Sequence, residues 1–117
     1  MEACPADVIT KRKEDGIVVV DRVPCLGKEK CGLCLEACPY KAPQFKAEPD
    51  SPMEKCDLCV DRWNQGKKPV CVDSCPTRAL DAGPIEELIK RYGDVREAEE
   101  FDFSPKLRPA ILFKPKR

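Results

Sequence analysis

Histidine does not occur among the 117 residues of this chain. Its absence removes both an imidazole metal ligand and the commonest general base at neutral pH. An independent hydrolase would lack its usual machinery here. Long apolar runs are missing too: the best candidates, residues 17–20 and 110–113, fall well short of the roughly 18 residues that a membrane span needs. No direct membrane span is expected. Charge of one sign is not in excess, since 21 basic residues face 21 acidic ones, so no global field draws nucleic acid or an anionic surface. Nucleic acid is not expected as a partner, and any partner must be chosen by local patches. Aromatic residues make up only 6% of the chain while prolines number 12, a composition that gives one small, loop-rich domain with a thin apolar core. Staples other than hydrophobic burial have to hold it.

Cysteine is what the chain has in plenty. Nine are present, an odd number that fits a closed disulfide framework poorly. They fall in runs instead. Cys25, Cys31, Cys34 and Cys38 come first, the last three spaced by two and three residues and followed by Pro39. That is most of the C-x2-C-x2-C-x3-C-P run that wraps a [4Fe-4S] cluster. Cys56, Cys59, Cys71 and Cys75 repeat the plan, with eleven residues between the second and third cysteines and Pro76 after the last. Closely spaced thiolates suit one cluster, while the cysteine before proline ligates a neighbouring cluster in two-cluster proteins, so such runs work in pairs. Paired C-x2-C steps also fit structural zinc, in a module with no redox role. A zinc ribbon needs only two such pairs, and the third cysteine of each run favours the cluster. Met1-Glu2-Ala3-Cys4-Pro5 reads as the end of a run without its beginning. The x3 spacing would put the preceding ligand one position before Met1, so the polypeptide is expected to be part of a longer one. A genuine start with an idle Cys4 thiol is the alternative.

Between and beyond the cysteines the pattern is readable in places. Residues 8–11 and 17–20 are β-branched and flank Asp15-Gly16, a step suited to a hairpin turn with positive φ. The hairpin is expected to pack its apolar faces beside the cluster loops. Residues 46–53 are polar and aperiodic, a surface loop. In the insert of the second run, residues 60–63 suggest a short helix ended near Gly66. Arg62, Trp63, Lys67 and Lys68 make either a docking surface or a solvated basic loop. From Pro84 the period turns helical: Ile85, Leu88, Ile89 and Tyr92 share a face, Glu86 and Glu87 lie in the first turn and Gly93 follows the end. This helix is expected to close the core. Beyond Phe103 three prolines, Pro105, Pro109 and Pro115, exclude a continuous helix. They leave an extended arm whose residues 110–113 lie on a partner, or a disordered tail.

Three stretches carry a resemblance. They are Lys55-Cys-Asp-Leu-Cys-Val-Asp-Arg62, Pro69-Val-Cys-Val-Asp-Ser-Cys-Pro-Thr-Arg-Ala-Leu80 and Ala37-Cys-Pro-Tyr-Lys-Ala-Pro-Gln-Phe45. With Asp15-Gly-Ile-Val-Val-Val-Asp21, they closely resemble the iron-sulfur electron-transfer subunits of the dimethyl sulfoxide reductase family, as far as the helix near Tyr92. The resemblance implies an α+β fold: a small ferredoxin-like domain over residues 1–83 with β-hairpins and short helices, then a helix and an extended partner-docking arm over residues 84–117. It implies [4Fe-4S] clusters that relay electrons, with no substrate chemistry, beside a molybdopterin catalytic subunit and, in many members, a membrane anchor. The location it implies is cytoplasmic, or membrane-associated through partner subunits, with export only as a passenger.

By the same resemblance Cys25, Cys31 and Cys34 hold one cluster together with Cys4, and Cys56, Cys59 and Cys71 hold another. The latter's fourth ligand, and the partners of Cys38 and Cys75, lie upstream. The chain departs from the family twice. Five residues separate Cys25 from Cys31 where two are usual, as though Lys28-Glu29-Lys30 had been inserted, and Arg78 stands where Gly is frequent. A free-standing two-cluster ferredoxin is the alternative arrangement. In it Cys75 completes the set of Cys25, Cys31 and Cys34, Cys38 completes that of Cys56, Cys59 and Cys71, and Cys4 is left over.

Overall fold

A computed structural model describes residues 1–116. Two compact units make up the chain, the first Met1–Pro69 and the second beginning at Val70. The division falls inside the second cysteine run, whereas the sequence pattern changes later, at Pro84.

In the first unit the β-branched stretches pair as expected. Strands β1 (Ile9–Lys11) and β2 (Val18–Val20) are antiparallel, with Ile9 opposite Val20 and Lys11 opposite Val18. Gly16 takes φ 74° in the turn, and the Asp15 carboxylate accepts the Ile17 N–H at 3.0 Å. Arg12 pairs with Glu14 and Asp15 across the same turn. The residue preceding each strand turns inward: Val8 and Ile17 are buried. Three short helices follow, α1 (Gly27–Lys30), α2 (Leu33–Ala37) and α3 (Val60–Asn64). The α3 helix stops where the sequence suggests, with Gly66 at φ 71°. Its loop is tied to itself by Arg62 Nε donating to the Lys68 carbonyl at 2.8 Å.

One expectation is corrected. The stretch 46–53 does not stay a surface loop to its end, because Met53 is 1% exposed and Ser51 7%. Met53 is the one long apolar side chain in a polar run, and burial favours it by roughly 1.5–3 kcal/mol. Ser51 tolerates burial because its hydroxyl accepts the Lys46 N–H at 3.0 Å and donates to the Pro52 carbonyl. Gln44 and Glu54 form an antiparallel bridge that closes this loop. With Val8 and Ile17, Met53 supplies the buried apolar core of the unit.

The second unit contains α4 (Val70–Asp73) and α5 (Ile85–Tyr92). Acidic Glu86 and Glu87 in the first turn of α5, and Lys90 and Arg91 in the last, match the helix dipole. Its apolar stripe lies on one face, yet none of Ile85, Leu88, Ile89 and Tyr92 is fully buried, so the helix does not close a core as expected. Ala82 is the buried apolar residue here, too small to anchor four large side chains. The helix is fastened by polar groups instead. Asp81 accepts from Tyr92 Oη at 2.8 Å and from Arg91 at 3.0 Å. The tail has no helix among the described residues, as its prolines require. It folds back on its own unit: Phe113 donates its N–H to the Val95 carbonyl at 2.8 Å and meets Phe101 edge-on at 5.2 Å.

Candidate metal centre

Four of the nine cysteines come together in the first unit. Cys4, Cys25, Cys31 and Cys34 line one cavity of about 350 Å³, counting its opening to solvent. The rest of the wall is apolar or backbone, with Val8 and Ile9 from the hairpin side, Phe45 and Met53 from the loop that follows α2, and Gly27 and Gly32 between the cysteines. Each thiol arrives by a local device. Cys4 closes a turn by donating its N–H to the Met1 carbonyl. Cys31 follows α1 and donates its N–H to the Gly27 carbonyl at 3.2 Å, and Cys34 lies within α2. The five-residue spacing after Cys25 is thus taken up by the single turn of α1, which lets both ends of the longer loop reach the same cavity. An ion pair between Lys30 and Asp50 at 2.9 Å ties down the end of that turn.

The electrostatics fit this clustering. Burial pushes the Cys34 thiol above its ordinary value, and negative charge at Cys25 and Cys31 pushes the same way. A thiol raised in this way inside an apolar pocket ionises readily only beside a cation, as a ligand of a metal group does. Cys25 Sγ also accepts the Met53 N–H at 3.4 Å, the type of hydrogen bond that tunes a ligating sulfur.

The donor set matches a cluster better than a single ion. A tetrahedral zinc draws its four sulfurs to about 4 Å of one another. Among the described residues no three His, Cys, Asp or Glu side chains are arranged to hold one ion. Four thiols lining one apolar cavity, from runs that repeat the cluster-binding spacing, are a donor set suited to a [4Fe-4S] cluster.

The other five cysteines lie outside that wall. Cys38 ends α2 in extended conformation. Cys56 is exposed, and Cys59 opens α3 at φ 50°. In the second unit Cys71 sits in α4, exposed, and Cys75 follows it. Cys75 has the most developed sulfur environment of these. The Thr77 hydroxyl stands 3.5 Å from its Sγ and the Ala79 N–H donates to it at 3.3 Å. Together they hold the thiol down to about 7. Arg78, between those two residues, takes φ 54°, a left-handed conformation that glycine adopts without penalty. The sequence did not single out Phe45 or Met53 as wall residues, nor Lys55 as a bonded one. Only their places beside cysteine runs could have pointed to them.

Comparison with known proteins agrees with the geometry. Residues 1–85 match the model of the 4Fe-4S dicluster domain. The chain is 48% identical over 114 residues to the B subunit of anaerobic dimethyl sulfoxide reductase from Escherichia coli (strain K12), an alignment covering 97% of this chain and 53% of that protein. It is 40% identical over 116 residues, 99% of this chain and 54% of the relative, to the protein of the same name from Haemophilus influenzae. It is also 39% identical over 99 residues, 85% of this chain and 30% of the relative, to the formate dehydrogenase iron-sulfur subunit of H. influenzae. The chain spans about half the length of the dimethyl sulfoxide reductase subunits it matches.

Proposed function

The chain belongs to the 4Fe-4S dicluster domain family, and from that membership we propose that it relays electrons through [4Fe-4S] clusters as part of a molybdopterin oxidoreductase complex. Such clusters, when bound, exchange one electron at a time at potentials set by burial, charge and hydrogen bonds to sulfur. Cys4, Cys25, Cys31 and Cys34 hold one of them, and the observation that carries the reading is their sharing a single apolar cavity. Val8, Ile9, Phe45 and Met53 keep water from its ligands. Cys56, Cys59 and Cys71 serve a second cluster, on the strength of their spacing. Cys38 and Cys75, each placed before a proline, serve neighbouring clusters, as the cysteine before proline does in two-cluster proteins.

Cys4 in the fourth position favours this arrangement over the free-standing two-cluster ferredoxin, which leaves Cys4 without a role. The names of the relatives support a catalytic partner that performs the substrate chemistry, and a membrane anchor belongs to the same reading. Among the described residues no helix is long and apolar enough to cross a membrane itself. The exposed Leu107 and Ile111 of the tail are the part of this chain proposed to meet the catalytic partner.

Anaerobic purification tests the reading. The protein should be brown, with broad absorption near roughly 400 nm that bleaches on reduction and returns on reoxidation, as thiolate-ligated clusters do. A colourless protein with stoichiometric zinc would overturn it.

A further inference from the structure

Lys55, immediately before Cys56, is not held like a surface lysine. Its Nζ donates to the Val18 carbonyl of β2 and to the Cys56 carbonyl, each at 2.5 Å. The side chain lines a second cavity of the first unit, of about 490 Å³ including its open side, beside Arg22, Glu54 and Asp57. Of the acidic groups there, Glu54 is paired with other cations, while Asp57 acts on the ammonium through space. Glu54 pairs with Arg22 and Lys46, and the Asp57 carboxylate accepts the Cys59 N–H at 2.9 Å. Two carbonyl oxygens accept from the ammonium without cancelling its charge, and no carboxylate forms an ion pair with it among the described residues, so a positive charge stays fixed beside the first ligand of the second run. Partial burial leaves that charge less screened by solvent and salt than the charge of an exposed lysine.

We infer that Lys55 is a positioning residue with two effects: its ammonium ties the loop bearing Cys56 to β2, and it raises the reduction potential of the cluster that Cys56 ligates. The inference rests on the cluster reading above. Reduction adds one electron, supplied in the test by dithionite, and makes the cluster with its thiolates more negative by one charge. A fixed cation stabilises that state over the oxidised one, while a neutral hydrogen-bond donor keeps the tie and loses the effect.

The experiment is a potentiometric titration of the full chain, loaded anaerobically with iron and sulfide, with each cluster followed by its magnetic-resonance signal and iron counted in parallel. Lys55→Gln should keep its iron and shift one signal so that the reduced fraction at fixed potential falls about tenfold, equivalent to roughly 59 mV for one electron. The other signal should stay in place, and Lys55→Arg should keep both. An unchanged potential in Lys55→Gln with iron intact, or an equal shift of both signals, overturns the inference and leaves the cluster reading standing. A wild-type protein that takes up no iron overturns both. Should Lys55→Gln lose its iron, Lys55→Met is read in the same way. Loss in both neutral variants with retention in Lys55→Arg assigns the charge to the site, and loss in all three overturns the role.

Discussion

Gly27→Ala tests how tightly the loop between Cys25 and Cys31 is fixed. Gly27 has φ 78°, and a Cβ added there would sit 3.1 Å from the Ser51 carbonyl oxygen and 3.3 Å from the Asp50 carbonyl carbon. Both are backbone atoms at the Asp50–Ser51 step of the Met53 loop, so neither swings aside as the end of a side chain would. The left-handed conformation costs an L-residue about 1–2 kcal/mol, of which about 0.4–1 is offset by the stiffer unfolded chain. Forcing two backbone segments apart adds roughly 1–3 kcal/mol, for a total of about 2–4. Gly66→Ala is the control, since Gly66 has φ 71° and nothing within 4 Å of an added Cβ. It should lose only about 1 kcal/mol. The assay is anaerobic urea unfolding of the cluster-loaded protein, read by cluster absorption. At about 2 kcal/mol per molar urea, Gly27→Ala should lower the midpoint by roughly 1–2 M and Gly66→Ala by about 0.5 M. Equal shifts would show that the Ser51 loop moves freely and would refute the account of how α1 positions Cys25 and Cys31.

Met53→Ala should cost about 2–5 kcal/mol, as deletion of a fully buried side chain does, and should speed bleaching of the cavity's cluster by oxygen; unchanged bleaching would remove Met53 from the wall. Chelation of iron under reducing conditions should collapse the first unit, because Val8, Ile17 and Met53 are a small core for its length. The checks are circular dichroism and limited proteolysis, which should show loss of structure. Arg78→Gly should raise stability by up to about 1 kcal/mol by relieving φ 54°, measured by thermal unfolding; a loss would mean that the Arg78 side chain makes stabilising contacts. Thr77→Val removes the hydroxyl beside Cys75 Sγ and should lower that cluster's potential by roughly 20–40 mV if the bond favours the reduced state by about 0.5–1 kcal/mol, read by potentiometric titration.

Much of this was legible in the sequence because local chemistry decided it. The Asp15-Gly16 turn, the stop of α3 near Gly66 and the span of α5 follow from turn residues and periodicity, which act over a few residues. What was not legible depended on long-range packing. Met53 in a polar run gives no periodic signal, and its burial is set by the distant Val8 and Ile17. The stripe of α5 predicts a core-facing helix, yet a hydrophobic pattern shows only which side chains share a face, not what covers them. The tail looked free because prolines break its local pattern, while its Phe113 contact with Phe101 is a pairing across twelve residues of sequence. At the site, spacing grouped Cys31 with Cys34 at once. Bringing in Cys25 and Cys4 took the resemblance, since five and more residues of intervening chain leave a thiol's position open until the loop geometry is known.

The most direct test of the central claim is the iron content and magnetic-resonance signature of Cys4→Ser beside Cys38→Ser, each prepared anaerobically in the full chain. If Cys4 completes the set of Cys25, Cys31 and Cys34, Cys4→Ser should lose or convert the signal of that cavity's cluster, and Cys38→Ser should leave it intact. A Cys4→Ser protein with full iron and an unaltered signal would contradict the account and return Cys4 to the status of an idle thiol.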